Sequence, residues 1–202
     1  MNQRPVLTIS RQYASGGRQI AQLAAERLGL PFYDKQFVTF CASRSQMADA
    51  LFEAPEQSGL PQGARELIAG APYEPPVSDK VYWAQQAALQ ALAAHGPCVI
   101  LGRGAGAVLK NAVPCLNVFI HAPLCCRTRR AVEDYGDPAL HIEAHVAHID
   151  KKRMDYYKFY AGVNGGQLES YDLCLNSEAL GLQGTAEVII AAYQAAGRQT
   201  LL

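Results

Sequence analysis

The sequence has no excess of charge of either sign, because 18 basic residues balance 18 acidic residues in a chain of 202. A protein that binds nucleic acid or an anionic membrane over its surface normally carries a clear positive charge. No apolar run approaches the roughly 20 residues that a membrane-spanning helix needs. We therefore expect neither a nucleic-acid partner nor a membrane partner, and a small-molecule partner is favoured.

Paired cysteine motifs are also absent, since none of the six cysteines stands in a C-x-x-C pair. They are Cys41, Cys98, Cys115, Cys125, Cys126 and Cys174, each within or beside an apolar run. This placement is typical of reduced cysteines in a core rather than of a disulfide framework. We expect a cytoplasmic protein with free thiols.

What the sequence does contain is enough apolar residues for a core and many arginines. Half of the residues are apolar, and 12 of the 18 basic residues are Arg. Planar guanidinium groups suit bidentate binding of phosphate, although genomic codon bias explains such a ratio equally well. Strand patterns alternate with helix patterns along the chain. This alternation predicts a three-layer α/β/α sandwich with a mainly parallel sheet of about five strands.

The most informative stretch is residues 6–22, VLTISRQYASGGRQIAQ. It begins with an apolar, β-branched run typical of a buried strand, and apolar residues recur at helical spacing from Ile20 onward. Between them, Ser15, Gly16 and Gly17 allow a sharp turn that gathers unpaired N–H groups at a helix start, where phosphate binds. The alternative is an ordinary strand-loop-helix unit whose glycines only make the turn.

The loop matches the standard P-loop, G-x-x-x-x-G-K-[ST], only in part. Arg11 stands at the first glycine, Gly17 at the lysine and Arg18 at the serine or threonine. The backbone anion site is therefore present, whereas the usual cation and the usual magnesium ligand are missing.

Six segments, in this order, resemble the cytidylate kinase-like family, which is related to bacterial cytidylate kinases among the P-loop nucleoside monophosphate kinases. The segments are TISRQYASGGRQIA, LGLPFYDKQ, GPCVILGRGAGAVL, VFIHAPLCCRTRR, HIDKKRMDYYKFYAG and YDLCLNS. The resemblance implies a single P-loop kinase-like domain over residues 1–202, with a lid near residues 137–168. It also implies a mobile acceptor-side insertion near residues 54–78, a stretch that holds five of the 11 prolines.

The activity implied by this resemblance is transfer of the γ-phosphoryl group of ATP, with Mg²⁺, to a nucleoside monophosphate, CMP or dCMP first. The expected donor contacts are Arg11, Ser15, Gly16, Gly17, Arg18 and Gln19. Asp34, Arg103, Asp150 and Arg153 are the expected acceptor-side contacts, with Asp34 also a possible magnesium contact. Among these, Arg18, Arg103 and Arg153 are the expected catalytic residues. The sequence does not define an oligomeric state.

Two arginine positions carry further expectations. Arg153 lies on the otherwise apolar stripe of a helix over residues 139–160, so it is predicted to point inward, where phosphate is one partner for its charge. Arg18 is the cation nearest to the missing lysine and is predicted to matter more to turnover than to binding. Arg11 is the other replacement for that lysine, and pairing of Arg18 with a carboxylate is the competing interpretation.

Three alternatives remain open from the sequence. The missing lysine, the missing serine or threonine, and the lack of the acidic residue that relatives carry after the Gly102-Arg103 pair favour a nucleotide-binding regulator without catalysis. Residues 102–107 satisfy G-x-G-x-x-[GA], the fingerprint of a Rossmann dinucleotide site, but no acidic residue follows at the expected distance. His141, His145 and His148 share a helix face, yet no cysteine or activating glutamate accompanies them, so no metal site is predicted.

The arginines of residues 123–135 also allow two interpretations. Arg127 and Arg130 lie one helical turn apart and share a face, which suits phosphate binding. A solvated basic face paired with Glu133 and Asp134 is equally consistent with the sequence.

Overall fold

The computed structural model describes residues 5–44, 77–161 and 166–199. Its five strands are all parallel and lie in the order β2-β3-β1-β4-β5. The strands are β1 (Val6–Arg11), β2 (Phe32–Tyr33), β3 (Val99–Leu101), β4 (Cys115–His121) and β5 (Leu173–Asn176). The helices are α1 (Gly17–Leu28), α2 (Lys35–Arg44), α3 (Val77–Ala94), α4 (Ala105–Leu109), α5 (Leu124–Glu133), α6 (Ile142–Ala161) and α7 (Ser177–Gln199), with a 3₁₀ turn at Leu168–Ser170.

The central strand β1 is buried on both faces because helices cover both sides of the sheet. Leu7 and Ile9 pack with apolar residues of α1 and α7, such as Ile20 and Ile189. Val6, on the opposite face, packs in a second cluster with residues of α2, α3 and α4. The architecture is therefore the predicted three-layer α/β/α sandwich, and the continuous apolar run of β1 reflects burial from both sides.

Helices α5 and α6 form a smaller unit beside the carboxyl end of β1. Ala14 of the loop after β1, Ala131 of α5 and Val146 of α6 form a buried cluster of their own. Ile142 packs on this cluster, and Arg153 is half-buried farther along the same helix face. The inward stripe predicted for this helix is confirmed in the described residues.

Some element boundaries differ from the prediction for local reasons. The apolar pattern near the end of the chain predicts a closing helix over residues 186–196, but helix α7 begins at Ser177, directly after β5, and Gly181 breaks its helical geometry with φ 67° and ψ 172°. The break divides the apolar pattern, which hid the first turns from a periodicity search. Helix α4 was not predicted, because its five residues are too few to show a period.

The predicted insertion and the predicted lid fall within the described residues to different extents. The insertion near residues 54–78 lies almost entirely outside the described residues. Most of the predicted lid is α6, and residues 162–165 are not described. The proposed division of the chain into core, insertion and lid stays a prediction.

Candidate functional site

The loop between β1 and α1 turns through two left-handed residues. Ala14 has φ 55° and Gly16, the residue before α1, has φ 75°. A β-carbon on Gly16 would be strained by this φ angle and would also displace the terminal methyl group of Leu182 in α7. Within the part of the chain that the structure describes, no side chain caps the helix start at Gly16. The first N–H groups of α1 therefore lack the usual intrahelical and capping acceptors, which is the arrangement that binds anions.

The carbonyl groups of this loop are bound by side chains from three other helices. The contacts are Arg153 Nη1 to Arg11 O (3.1 Å), Arg127 Nη1 to Tyr13 O (3.3 Å), Arg130 Nη1 to Ala14 O (2.9 Å) and Ser177 Oγ to Ser15 O (2.7 Å). The Ser15 hydroxyl donates to Gln12 O at 3.0 Å. The hydrogen-bonding capacity of the loop carbonyls is thus met by the protein, which orients the backbone of the loop.

Arg127 and Arg130 were not among the predicted site residues, although their spacing had shown that they share a helix face. The structure turns that face toward the loop and leaves Arg129, with 59% of its side chain exposed, on the outside with Glu178. Arg130 also lies 3.7 Å from Asp134, so the predicted pairing with that carboxylate is present as well. Which face of a helix meets a loop so distant in sequence depends on tertiary packing.

Asp150 fastens α6 to the loop through both of its carboxylate oxygens. Oδ1 accepts the Tyr13 N–H at 2.6 Å, and Oδ2 accepts Arg127 Nη1 at 2.6 Å. The side chains of Arg127 and Asp150 are only 9% and 15% exposed. In this arrangement Asp150 positions the loop, and its predicted contact with the acceptor stays a prediction.

Arg18, predicted to replace the missing lysine, makes a different contact. Its Nη2 lies 2.6 Å from Asp34 Oδ2, while 54% of its side chain remains exposed. Asp34 Oδ1 accepts the Phe37 N–H at 3.1 Å and so caps α2. The structure thus brings two predicted site residues together as an ion pair. Gln19 is exposed on the same first turn of α1.

Arg11 leaves the end of β1 and passes closely beside two glycines. Its Cβ would lie 2.7 Å from a β-carbon placed on Gly17, and its Nη1 would overlap one placed on Gly102. The guanidinium therefore lies between the loop after β1 and the turn after β3. In open parallel sheets this carboxyl edge is where ligands bind.

Four arginines contribute to one region of positive potential. Burial, followed by repulsion from Arg153, lowers the pKa of Arg11 to about 10, and Arg103 and Arg18 add to this effect. Burial also lowers the pKa of Arg153, although Asp150 opposes the shift. Arg11 remains charged at neutral pH despite the shift. Such mutual repulsion is relieved when an anion binds.

The phenol of Tyr157 interacts with Arg11 but does not neutralise this region. The Tyr157 hydroxyl is enclosed and hydrogen-bonded to the Ser10 hydroxyl, although the residue as a whole is only partly buried. Burial, with a further contribution from Tyr171, raises its pKa to about 12. Tyr157 is therefore neutral at pH 7 and leaves the charge of Arg11 uncompensated.

Arg103 lies in a strained turn directly after β3. Gly102, Arg103 and Gly104 all have positive φ angles, of 78°, 57° and 66°. A left-handed arginine is uncommon, and such conformations concentrate at binding and active sites. The guanidinium of Arg103 lies over the Tyr156 ring, 5.3 Å from its centroid.

Lys35, at the start of α2, also belongs to this part of the site, although the sequence gave no signal for it. Burial of its ammonium group, followed by repulsion from Arg103, lowers its pKa to about 8. Lys35 and Arg103 are therefore neighbouring cations in this part of the candidate site, next to the cap residue Asp34.

The side chains present do not make a ready magnesium site. Arg18 replaces the usual hydroxyl ligand, and both oxygens of Asp34 and of Asp150 already accept hydrogen bonds. Within the described ranges, no group of three His, Cys, Asp or Glu residues is arranged to bind a metal. His141, His145 and His148 are exposed. Magnesium commonly relies on substrate phosphates and water for most of its ligands.

The strand order separates this fold from the Rossmann alternative. In a classic dinucleotide fold the first three strands lie in the order 3-2-1, whereas here β3 lies between β2 and β1. The glycine-rich turn of residues 102–107 therefore follows a strand that does not occupy the dinucleotide-binding position.

Two other sequence expectations concern cysteine and membrane. All six cysteines are free thiols; Cys98 is buried in the core, Cys115 packs against the same cluster, and Cys125 is exposed rather than in the core. Among the helices in the described ranges, none is both long and apolar enough to cross a membrane.

The fold and the glycine-containing loop after β1 define an α/β P-loop kinase fold. The sequence profile of the cytidylate kinase-like family matches residues 6–179, and the chain belongs to this family. A cytidylate kinase of Methanoculleus marisnigri is 29% identical over 101 residues, which cover 50% of this chain and 55% of that protein. The chain thus matches about half the length of this curated relative.

Solved structures share the fold at low sequence identity. An uncharacterized protein from Eubacterium ventriosum has a TM-score of 0.73 at 21% identity, covering 96% of this chain and 99% of its own. A gluconokinase from Sinorhizobium meliloti has a TM-score of 0.57 at 16% identity, covering 98% and 95%. A shikimate kinase from Bacteroides thetaiotaomicron has a TM-score of 0.52 at 13% identity, covering 95% and 96%. These likenesses concern the fold alone.

Proposed function

We propose that this protein transfers the γ-phosphoryl group of ATP to a nucleoside monophosphate, with CMP or dCMP the first acceptors to test. The observation that carries the proposal is the uncapped start of α1 beside Arg11, Arg103 and Arg153. Backbone N–H groups and several cations at one point suit a chain of phosphates better than a single carboxylate. Family membership and the name of the Methanoculleus relative support a nucleotide acceptor.

In this proposal the donor phosphates bind to the backbone of residues 15–18, with Arg11 and Arg18 as the candidate cations for their charge. Arg103 and Lys35 bind the acceptor phosphate from the end of β3 and the start of α2. Arg153 contacts the loop at Arg11 O and stabilises charge on the transferred group from α6. Phosphoryl transfer depends on positioning and charge stabilisation rather than on a covalent nucleophile. These side chains supply the kinds of group that the reaction needs. Mg²⁺ would arrive with ATP, held mainly by the phosphates and water.

The proposal is tested by measuring ADP release with ATP and each nucleoside monophosphate in turn. We expect turnover with at least one pyrimidine monophosphate and a large loss of turnover in Arg103→Gln. Arg129→Gln, at an exposed arginine of α5, is the matched control and should retain the activity of the parent protein. Turnover that is unchanged in Arg103→Gln would remove Arg103 from the acceptor site.

A nucleotide-binding regulator without catalysis is the second candidate. It is favoured by Gly17 and Arg18 in place of lysine and a hydroxyl residue, and by the engagement of Asp34 with Arg18. Tight ATP binding without ADP release for any acceptor would favour the regulator.

Micromolar binding of NAD, by contrast, would revive the dinucleotide alternative. We also propose a cytoplasmic location, which the free thiols support.

A further inference from the structure

Gly17 is a glycine at a position where the backbone does not require one. It is the first residue of α1 and is not among the residues with positive φ. In a regular helix, glycine is less favourable than alanine because it loses more conformational freedom on folding. Another constraint must therefore explain the missing side chain at this position, where a standard P-loop has its lysine.

That constraint is the stem of Arg11. A β-carbon on Gly17 would lie 2.7 Å from Arg11 Cβ and 2.9 Å from Arg11 Cγ, closer than non-bonded carbon atoms approach. These atoms are the root of the arginine side chain, attached to the end of β1, and rotation about the outer bonds does not move Cβ. A lysine at position 17 and an arginine at position 11 therefore exclude one another in this backbone.

The charged end of Arg11 also lies where a cation that binds phosphate is needed. Its Nη1 contacts Gly102, which has φ 78° and no side chain to obstruct the guanidinium. Among the described residues, no carboxylate lies within ion-pair distance of Arg11, and its charged neighbours are Arg153, Arg103 and Arg18. Arg18, by contrast, is already paired with Asp34. A buried cation among like charges is stabilised by an anionic ligand.

We infer that Arg11 supplies the positive charge that a lysine at position 17 supplies in a standard P-loop, and that Gly17 is present because the stem of Arg11 fills that space. This inference deepens the proposed function and rests on it for the identity of the anion, the phosphate chain of ATP. The cation has moved from the helix side of the loop to the strand side.

The chain itself offers a reciprocal test. Substituting Arg11→Gly together with Gly17→Lys rebuilds the sequence G-x-x-x-x-G-K over residues 11–17. If a lysine at position 17 can take over the function of an arginine at position 11, the double variant should regain the stability and the phosphate affinity that the single variants lose. Independent sites would instead give additive losses.

The experiment compares the parent protein with both single variants, the double variant, Arg11→Gln and the control Arg27→Gln. Arg27 also belongs to α1, but it is exposed and paired with Glu187 at the opposite end of the helix. Each protein is examined for urea unfolding, for affinity for inorganic tripolyphosphate by calorimetry, and for ADP release with ATP and the best acceptor.

Arg11→Gln keeps the stem and removes the charge, so it should fold like the parent. It should lose about tenfold or more in tripolyphosphate affinity and about a hundredfold in turnover. Gly17→Lys alone should unfold at lower urea because of the overlap, and Arg11→Gly alone should bind poorly. The double variant should be more stable than Gly17→Lys and should bind tripolyphosphate at least about tenfold more tightly than either single variant.

Two results would overturn the inference: parent-like affinity and turnover in Arg11→Gln, or additive losses in the double variant. If Arg11→Gln turns over like the parent protein, the proposed kinase function stands and only the role inferred for Arg11 is wrong. Tripolyphosphate binding that depends on Arg11, without turnover for any acceptor, would support the inference and remove the kinase function. A parent protein that binds neither tripolyphosphate nor ATP would remove both.

Discussion

Arg127 of α5 and Asp150 of α6 form a 2.6 Å ion pair that is largely shielded from water, and both residues also bind Tyr13 of the loop after β1. One interaction therefore joins two helices and the candidate phosphate site. Because Asp150 and Arg153 of α6 both bind the backbone at this loop, we expect a change in α6 to alter the conformation of the loop.

Replacing Asp150 should cost stability because Arg127 would then be a buried charge without its partner. For Asp150→Asn we expect a loss of about 3 kcal/mol in the free energy of unfolding, as is usual when one member of a shielded ion pair is removed. Urea unfolding measures this loss. The matched control is Asp155→Asn on the same helix, because Asp155 pairs with Lys151 at 2.8 Å in an exposed position. That control should lose less than about 1 kcal/mol, and equal losses in both variants would contradict the structural role of Asp150.

Arg130 should matter both to the geometry of the loop and, to a smaller extent, to overall stability. Its Nη1 donates to Ala14 O at 2.9 Å, so Arg130→Met leaves that carbonyl without its donor. We expect a loss of about 1 kcal/mol in stability together with weaker tripolyphosphate binding. Arg129→Met, one residue earlier and exposed, should change neither quantity. Parent-like affinity for tripolyphosphate in Arg130→Met would show that the loop keeps its conformation without this bond.

Lys35 should make acceptor binding dependent on pH. Its pKa is lowered to about 8 from the usual 10.5, and a phosphate bound nearby raises it again, so binding takes up a proton when the pH exceeds about 8. We expect the affinity for the acceptor to fall by up to about tenfold per pH unit above pH 8. Calorimetry in buffers of different ionisation enthalpy measures the proton uptake directly.

The same shift has a consequence for folding. Between pH 8 and 10.5 the unfolded chain binds more protons at Lys35 than the folded chain, so this residue makes the free energy of unfolding rise with pH. Lys35→Arg keeps the charge and should abolish both pH dependences. If Lys35→Arg retains the same fall in acceptor affinity, another group is responsible.

Arg18 is the residue that its sequence position favours for the role of the missing lysine, whereas the structure favours Arg11. A cation that follows the transferred group should cost about a hundredfold in turnover when it is removed. Because Arg18 pairs with Asp34 and is half exposed, we expect Arg18→Ala to lower turnover by less than about fivefold. Steady-state kinetics of Arg18→Ala beside Arg11→Gln measures the difference. A larger loss in Arg18→Ala than in Arg11→Gln would assign the lysine role to Arg18.

The sequence by itself determined the elements that can be recognised from a short stretch of neighbouring residues. The apolar run of β1, the glycines of the following loop and the stripe on α6 are each read within about 20 residues, so pattern and turn chemistry suffice for them. The same local segments, taken in order, identified the family and the three-layer fold.

Only the tertiary structure decided which arginine lies where. Arg127 and Arg130 reach the loop across more than a hundred residues of sequence, Arg18 turns to Asp34, and the stem of Arg11 fills the space beside Gly17. A long cationic side chain has many rotamers and no periodic preference of its own. Its partner is determined by the carboxylates, carbonyls and empty space that distant segments bring to it on folding.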